Sequence, residues 1–226
     1  MKKNMVEKSS DSFRCLFPDD EARNEWLPML LDAYEVIDRG IFLALQREKR
    51  KTGRRPVCKA GCGGCCATHT DIPIYPLEMV GIYWYVLEKM DPALRTALMP
   101  KLDGRSAPTS GSVSGLGPCP FLSDSRCTVY PVRPVACRQF IVFNRPCGDG
   151  EDPFHTRRGD VLTPLEDFAD RAFSIMLPFY GIFTEEDKKS AIKNRIIHAR
   201  VKNLKTTDWK ALAQRIAESL HDTREV

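Results

Sequence analysis

The sequence lacks several features that would mark common classes of protein. Its longest apolar run is IYWYVL at 82–87, whereas a membrane helix needs about 20 such residues. Glu7 and Asp11 lie where an export signal would need an unbroken apolar stretch. There is no Walker loop, G-x-G-x-x-G fingerprint or G-x-S-x-G elbow. We therefore expect a soluble cytoplasmic protein with no membrane partner.

A strong excess of charge of one sign is also missing. The chain has 34 basic and 30 acidic residues, a formal net charge of +4, and these are spread along its length. Nucleic-acid binding usually requires a concentrated basic surface. Nucleic acid is therefore not an expected partner, and the sequence leaves any protein partner or substrate open.

Cysteine, in contrast, is abundant. The chain has nine cysteines in 226 residues, and reducing thiol pools keep cytosolic cysteines unpaired. Clustered intracellular cysteines commonly bind metal. A chain of this size can bury about 70% of its unfolded surface, so it does not need a metal simply to fold. A bound metal would therefore serve as local scaffolding or in chemistry.

Apolar spacing predicts helices on both sides of the cysteines. The first covers 27–50, others follow Pro76 and Asp91-Pro92, and later helical patterns begin near Thr184 and Thr207. Thr163 and Glu166 have the spacing of a capping box. A short hairpin is expected to turn at 123–126. The Gly, Ser and Pro content of 104–118 predicts a flexible loop.

These elements predict a mainly α fold with a small irregular α+β cysteine-rich core. We expect residues 1–226 to form a single domain. Its cysteine-cluster, metal-binding core would cover 56–150, between the N-terminal helix 27–50 and a C-terminal helical region 163–223. No repeat, heptad array or βαβ alternation is present.

The first cysteine group is Cys58-x3-Cys62-x2-Cys65-Cys66, with three glycines inside it. Glycine lets the backbone take positive φ and fold closely round an ion. One alternative is the buried face of a helix, but each glycine would cost that helix about 1 kcal/mol relative to alanine. A set of disulfides is a third interpretation. Metal ligation is the one we favour.

The second group is Cys119, Cys127, Cys137 and Cys147, in a segment rich in turns. The two groups suffice for one site with spare cysteines or for two four-coordinate sites. Coordination by four sulfurs suits zinc or an iron–sulfur centre. The Cys-x3-Cys-x2-Cys spacing and the Cys119-Pro120 pair favour iron slightly. The candidate ligands are Cys58, Cys62, Cys65, Cys66, Cys119, Cys127, Cys137 and Cys147.

Several residues beside the cysteines are weaker candidates. Arg133 and Arg138 could neutralise thiolate charge or hydrogen-bond to sulfur as part of the cofactor site, and Arg126 and Lys59 could add to the field. A surface position is the alternative for each of these cations. His69 could replace a sulfur as ligand, although a capping or surface histidine is the simpler interpretation. Tyr130 and Pro134 fit a packed turn, and the isolated Cys15 fits a core residue or a free thiol.

The cysteine pattern resembles that of the YkgJ-like cysteine-cluster proteins, described as zinc- or iron-chelating domains. Their pattern is CxxCxxCC, then C-P-x-L, then C-x-x-Y-x-x-R-P-x-x-C-R. Here these blocks stand at 58–66, 119–122 and 127–138, and the last block agrees at every specified position. Three residues rather than two separate Cys58 from Cys62, and Cys147 lies outside the pattern.

The resemblance implies a metal-binding protein that chelates iron, including as an iron–sulfur cluster, or zinc. The same group includes flagellin lysine N-methylases, so an iron–sulfur-dependent protein-modifying enzyme is an alternative. A zinc-stapled interaction module without chemistry of its own is another. Whether the protein is an enzyme stays open at this point.

Overall fold

Helices dominate the structure. The computed structural model describes residues 13–59, 61–103 and 116–222, of which 59% are helical and 6% lie in strands or bridges. The predicted fold class, mainly α with a small irregular α+β core, is therefore confirmed. The helices are α1 (Pro18–Glu21), α2 (Trp26–Thr52), α3 (Gly64–Thr68), α4 (Pro76–Trp84), α5 (Pro92–Leu102), α6 (Val135–Gln139), α7 (Pro153–Thr156), α8 (Glu166–Met176), α9 (Glu185–Lys193) and α10 (Lys210–Asp222).

Short strands form two small sheets. They are β1 (Pro73–Ile74), β2 (Leu122–Ser123), β3 (Arg126–Cys127) and β4 (Lys202–Asn203). The hairpin β2–β3 turns at Asp124 and Ser125, both of which have positive φ, so the predicted turn is confirmed. Most of the predicted loop 104–118, namely 104–115, lies outside the described residues, as does residue 223 of the predicted C-terminal region.

The long helix α2 is the centre of the core. One face of it is buried, from Leu27 to Ala44, and its C-terminus is capped by Gly53 at φ 75°, the left-handed conformation that glycine adopts without strain. It packs most extensively against α8 and also against α4 and α6. The predicted helix 27–50 is thus confirmed, with one residue more at its N-terminal end and two more at its C-terminal end.

The pairing of β1 with β4 brings distant parts of the chain together. Pro73 lies opposite Asn203 and Ile74 opposite Lys202 in antiparallel register. The Asn203 side-chain amide donates to the carbonyl oxygen of Thr70 at 2.7 Å. The residues that follow the first cysteine group are therefore attached to the segment that precedes α10.

The helix after Thr163 begins later than its capping-box pattern predicts. Leu165 is the N-cap of α8, and no side chain caps it. Val161 forms a bridge with Val142, and the Leu162 N–H donates to the Ile141 carbonyl at 2.8 Å. Because these bonds hold the chain extended just before Thr163, the predicted cap is wrong.

No helix in the described ranges is both long and apolar enough to span a membrane.

Candidate metal centre

The first cysteine group is a turn followed by a short helix. The Cys62 N–H donates to the Lys59 carbonyl at 3.0 Å, and Gly61 takes φ 78°. Helix α3 then begins at Gly64 and contains Cys65 and Cys66. The glycines therefore end the turn and start the helix, and Cys58 and Cys62 are not part of a helical face.

The second group reaches the first through a backbone hydrogen bond. The Cys119 N–H donates to the Cys66 carbonyl at 2.7 Å. The hairpin then carries Cys127, which pairs with Leu122, and Cys137 lies in α6. Cysteines from four separate segments of backbone, including the one that carries Cys147, thus lie in the same part of the fold.

Four of these thiols, which we call the inner thiols, lie at the buried end of the cluster: Cys65, Cys119, Cys127 and Cys137. Burial raises the pKa of Cys119 to about 12 and that of Cys137 well above its ordinary value. The pKa of Cys65 is raised first by its hydrogen bond with the Cys66 side chain and then by burial. In every pair of inner thiols, the charge on one sulfur raises the pKa of the other thiol. Without a cation, the inner thiols therefore hold their protons at neutral pH.

Three further thiols, the outer thiols, lie at the solvent end: Cys58, Cys62 and Cys147. Cys58 and Cys62 are exposed as residues, and Cys147 is partly buried. The Cys58 sulfur accepts a hydrogen bond from the Val142 N–H at 3.3 Å. A Cβ placed on Gly64 would lie 3.3 Å from the Cys147 sulfur, so the absence of a side chain at Gly64 lets this sulfur approach α3.

The thiols are neighbours, but they do not form a closed ligand set. Among the residues that the structure describes, no group of three or more Cys, His, Asp or Glu side chains is arranged so that it could hold a metal ion. The nine cysteines are all unpaired, which excludes the disulfide interpretation for this structure. Which cysteines ligate a metal stays a prediction.

The two arginines of the predicted cofactor site differ in their surroundings. Arg138 is buried, pairs with Asp38 at 2.7 Å and lies over the Tyr34 ring. Arg133 stacks on the exposed ring of Tyr130 at 3.8 Å. Burial raises the pKa of Cys127, and both arginines oppose that rise. The positive charges of both arginines therefore act on the Cys127 sulfur. The hydrogen bonds of Arg138 nevertheless go to Asp38 and to backbone carbonyls.

His69 is neither a surface residue nor a cap formed by its side chain. It is buried, its Nδ1 lies 2.9 Å from the Asp152 carboxylate, and its ring contacts Phe140 and Phe154. Of the two expectations, the capping histidine is confirmed, since His69 is the C-cap residue of α3 and its N–H donates to the Cys65 carbonyl at 3.0 Å, and the surface histidine is wrong. The contact with Asp152 connects α3 to the start of α7, just beyond Cys147.

Lys205 faces the cluster and was not predicted from the sequence. Its ammonium donates to the Ala67 carbonyl at 3.1 Å. Burial lowers the pKa of Lys205, while the nearby thiols of Cys119 and Cys66 oppose that effect. No local pattern marks this lysine, because the pairing of β1 with β4 brings it to the cysteines.

Glu78 is a second residue near the cysteines that was not predicted from the sequence. It is fully buried in α4, accepts the Tyr75 N–H at 3.0 Å and accepts the Val135 N–H at 2.7 Å. Val135 is the first residue of α6, the helix that carries Cys137. An acidic residue in an apolar stretch of sequence was the one available clue.

A helical frame that gathers unpaired thiols from several segments defines a cysteine-cluster domain. Residues 57–156 match the family model CxxCxxCC, whose description is "putative zinc- or iron-chelating domain". The resemblance drawn from the cysteine pattern is therefore confirmed over that segment of the chain. No curated protein and no solved structure matches the chain significantly. The family segment includes both cysteine groups and Glu78, whereas α2 and Lys205 lie outside it.

Proposed function

We propose that this protein binds zinc or iron, the latter including an iron–sulfur cluster, through thiolates of its cysteine cluster. The observation that carries the proposal is the proximity of the inner thiols, Cys65, Cys119, Cys127 and Cys137, within a segment of a metal-chelating family. Four sulfurs complete the coordination of a tetrahedral zinc or the attachment of an iron–sulfur cluster.

The energetics of the inner thiols favour a cation. Four buried thiols are most stable when protonated, because burial and mutual repulsion both disfavour thiolates. A divalent cation reverses this preference, since binding replaces the protons. Four thiolates around Zn²⁺ leave a net charge of −2, and Lys205, Arg133 and Arg138 supply positive charge nearby.

Zinc and iron are supported by different features. The Cys-x3-Cys-x2-Cys spacing and Cys119-Pro120 are typical of iron–sulfur proteins. Coordination by four cysteine thiolates is equally typical of structural zinc. The protein-modifying enzyme and the interaction module stay predictions, because no contact in the described part of the chain favours either.

The test is elemental analysis and a visible spectrum of protein purified without oxygen. We expect close to stoichiometric zinc or iron, with brown colour for an iron–sulfur cluster and no colour for zinc. Cys137→Ser should lose most of that metal. Cys15→Ser is the matched control, because Cys15 packs against the core outside the predicted ligand set, and it should retain the metal.

Two results would contradict the proposal. One is a folded wild-type protein that takes up neither metal after reduction and reconstitution. The other is equal metal content in the Cys137 and Cys15 variants. Circular dichroism of each variant checks that any loss of metal is not simply a loss of fold.

A further inference from the structure

Positive charge is concentrated in one short segment, residues 47–59. The segment contains seven Lys and Arg residues and one acidic residue, so its charge exceeds the net charge of +4 of the whole chain. It covers the C-terminal end of α2, the glycine cap and the extended stretch that leads into the cysteines. Its exposed cations, which we call the basic surface, are Arg47, Lys49, Arg50, Lys51, Arg55 and Lys59.

The protein does not pair these cations internally. Glu48 is the acidic residue of the segment, and it accepts hydrogen bonds from the Arg54 guanidinium at 2.8 and 2.6 Å. Within the described ranges, no ion pair joins the basic surface to an acidic side chain. Cations in the last turn of α2 offset the negative end of the helix, but Arg55 and Lys59 lie beyond it. Helix stabilisation therefore accounts for only part of the charge.

The backbone beneath the basic surface is held in place. Gly53 ends α2 in the left-handed conformation. Pro56 then forms a bridge with Phe143, and the Val57 N–H donates to the Val142 carbonyl at 2.9 Å. A surface whose backbone is already ordered loses less entropy on binding than a mobile one. The basic surface is thus preorganised for a partner.

Two apolar side chains extend the basic surface along α2. Phe42 and Leu43 are 45% and 42% exposed. Leu43 lies on the same side of the helix as Arg47 and Arg50, because the three residues have i, i+4 and i+7 spacing. The exposed face of α2 is therefore apolar first and basic towards its C-terminus. A complementary ligand combines apolar side chains with carboxylates.

Acidic residues limit the length of the basic surface. Asp32, Glu35 and Asp38 lie in the N-terminal half of α2, and α8 has acidic residues in its first turn. The start of α8 is close to α2, because Leu165 packs against the cluster that contains Ala44. A long polyanion such as nucleic acid, or an anionic membrane, would extend over this acidic border and be repelled. A short acidic segment would not.

We propose that the basic surface, together with Phe42 and Leu43, is a docking site for a partner protein that binds through a short acidic segment with apolar side chains. Those side chains pack on Phe42 and Leu43, and the carboxylates face the cations at the end of α2. Charge complementarity of this kind speeds association and fixes the orientation of the partner. Because Cys58 is exposed in the same segment, the partner binds beside the cysteine cluster. The inference does not depend on metal binding.

Fluorescence anisotropy with a labelled synthetic peptide tests the docking site. The probe has a run of glutamates flanked by leucines and is added to the full chain. We expect binding that weakens with added salt, because exposed charges are screened. The triple variant Arg47→Gln/Lys49→Gln/Arg50→Gln should bind the peptide about 10-fold more weakly, since several surface ion pairs are lost together. Arg55→Gln/Lys59→Gln, which leaves α2 unchanged, should also weaken binding.

The matched control is Lys189→Gln/Lys193→Gln/Lys210→Gln, which removes the same number of exposed cations from α9 and α10. It should bind the peptide as the wild type does. Leu43→Ser should weaken binding of the leucine-containing peptide but not of a peptide with serine in place of each leucine. Circular dichroism verifies that every variant is folded.

Four results would overturn the inference. The first is a wild type that does not bind the peptide at low salt, and the second is equal weakening by the triple variant and its control. The third is tighter binding to an oligonucleotide or to vesicles that contain phosphatidylserine, lost in the triple variant, which would assign the surface to nucleic acid or membrane. The fourth is salt-sensitive self-association that the triple variant abolishes, which would assign the surface to a second copy of this chain.

Discussion

Lys205 is a single side chain whose role depends on the cysteine cluster. Burial lowers the pKa of Lys205, and its ammonium contacts the carbonyl of Ala67, next to Cys66. A partly buried cation is stabilised when negative charge develops beside it. A thiolate centre would supply that charge.

We predict that Lys205→Met lowers metal affinity by about 10-fold, the lower end of the effect expected when a group that supports the ligands is removed. Lys205→Arg should retain most of the affinity, because it keeps the charge. Lys202→Met is the control, since Lys202 is exposed nearby. Competition with a chromophoric chelator measures all three. Equal affinities for the two methionine variants would show that Lys205 has no electrostatic role.

Glu78 links two helix starts from a fully buried position. One carboxylate oxygen accepts the Tyr75 N–H before α4, and the other accepts the Val135 N–H at the start of α6. Burial raises the pKa of Glu78 to about 7, although these two bonds and Arg138 oppose the rise. The side chain therefore changes charge near neutral pH.

The raised pKa gives a definite pH dependence of stability. Between the ordinary value of 4.5 and about 7, the folded state binds more protons than the unfolded state, so the free energy of unfolding falls as pH rises through this window. The loss is on the order of 3 kcal/mol over the window, from about 1.4 kcal/mol per pH unit.

Glu78→Gln should remove that dependence. We expect the difference in stability between wild type and variant to shift in favour of the variant as pH rises from 4.5 to 7. Urea unfolding of the metal-free proteins at several pH values measures this shift. Parallel pH profiles would mean that folding does not raise the pKa of Glu78.

The crossing of α2 and α8 depends on the smallness of one residue. Gly40 lies in the middle of α2, and a Cβ placed there would be 2.6 Å from the Cβ of Phe168 in α8. Because the Phe168 Cβ is attached directly to the backbone, the helix itself would have to move. Glycine thus sets the distance between the two helices that pack most extensively.

We predict that Gly40→Ala destabilises the protein by about 1–3 kcal/mol, the usual cost of overpacking. The result is diagnostic because alanine is otherwise favoured over glycine in a helix by about 1 kcal/mol. Gly159→Ala is the matched control, since a Cβ there meets nothing within 4 Å. Thermal or urea unfolding compares the two. An unchanged or higher stability of the Gly40 variant would refute the close approach.

Elements governed by local rules could be predicted, and those governed by distant partners could not. The helices of α2 and α4 follow from apolar spacing, and Asp91 caps α5 with its side chain as its position before Pro92 suggests. The prediction that Thr163 caps α8 was wrong because Val161 pairs with Val142. The pairing of β1 with β4 joins two-residue strands, which are too short to leave a pattern in the sequence.

The candidate site shows the same division. Spacing and glycines make the cysteines candidate ligands, which stays a prediction. They do not distinguish the inner from the outer thiols, because burial depends on which helices cover each sulfur. The family segment ends at residue 156, so Lys205 could not be found from the family pattern either. The supporting residues come from the parts of the chain that surround the motif.

The hydrophobic core is built mainly by helices outside the cysteine-rich segments. Half of its buried residues lie in α2, α4, α8 and α10, and Cys119 is the one cysteine among the buried residues of the described chain. A core of this kind does not need metal ligation for its stability. The metal should therefore order the cysteine segments and leave the helical frame largely unchanged.

Removal of the metal should therefore act locally. We predict that chelation preserves most of the helical circular dichroism while amide hydrogen exchange speeds up in 57–68 and 117–139. Amides in the buried face of α2 should stay protected. The Cys119 N–H, bonded to the Cys66 carbonyl at 2.7 Å, is the most informative probe, because this bond joins the two cysteine groups. Cooperative loss of protection throughout α2 and α8 would mean instead that metal binding and folding are one transition, as in proteins that are unfolded without their metal.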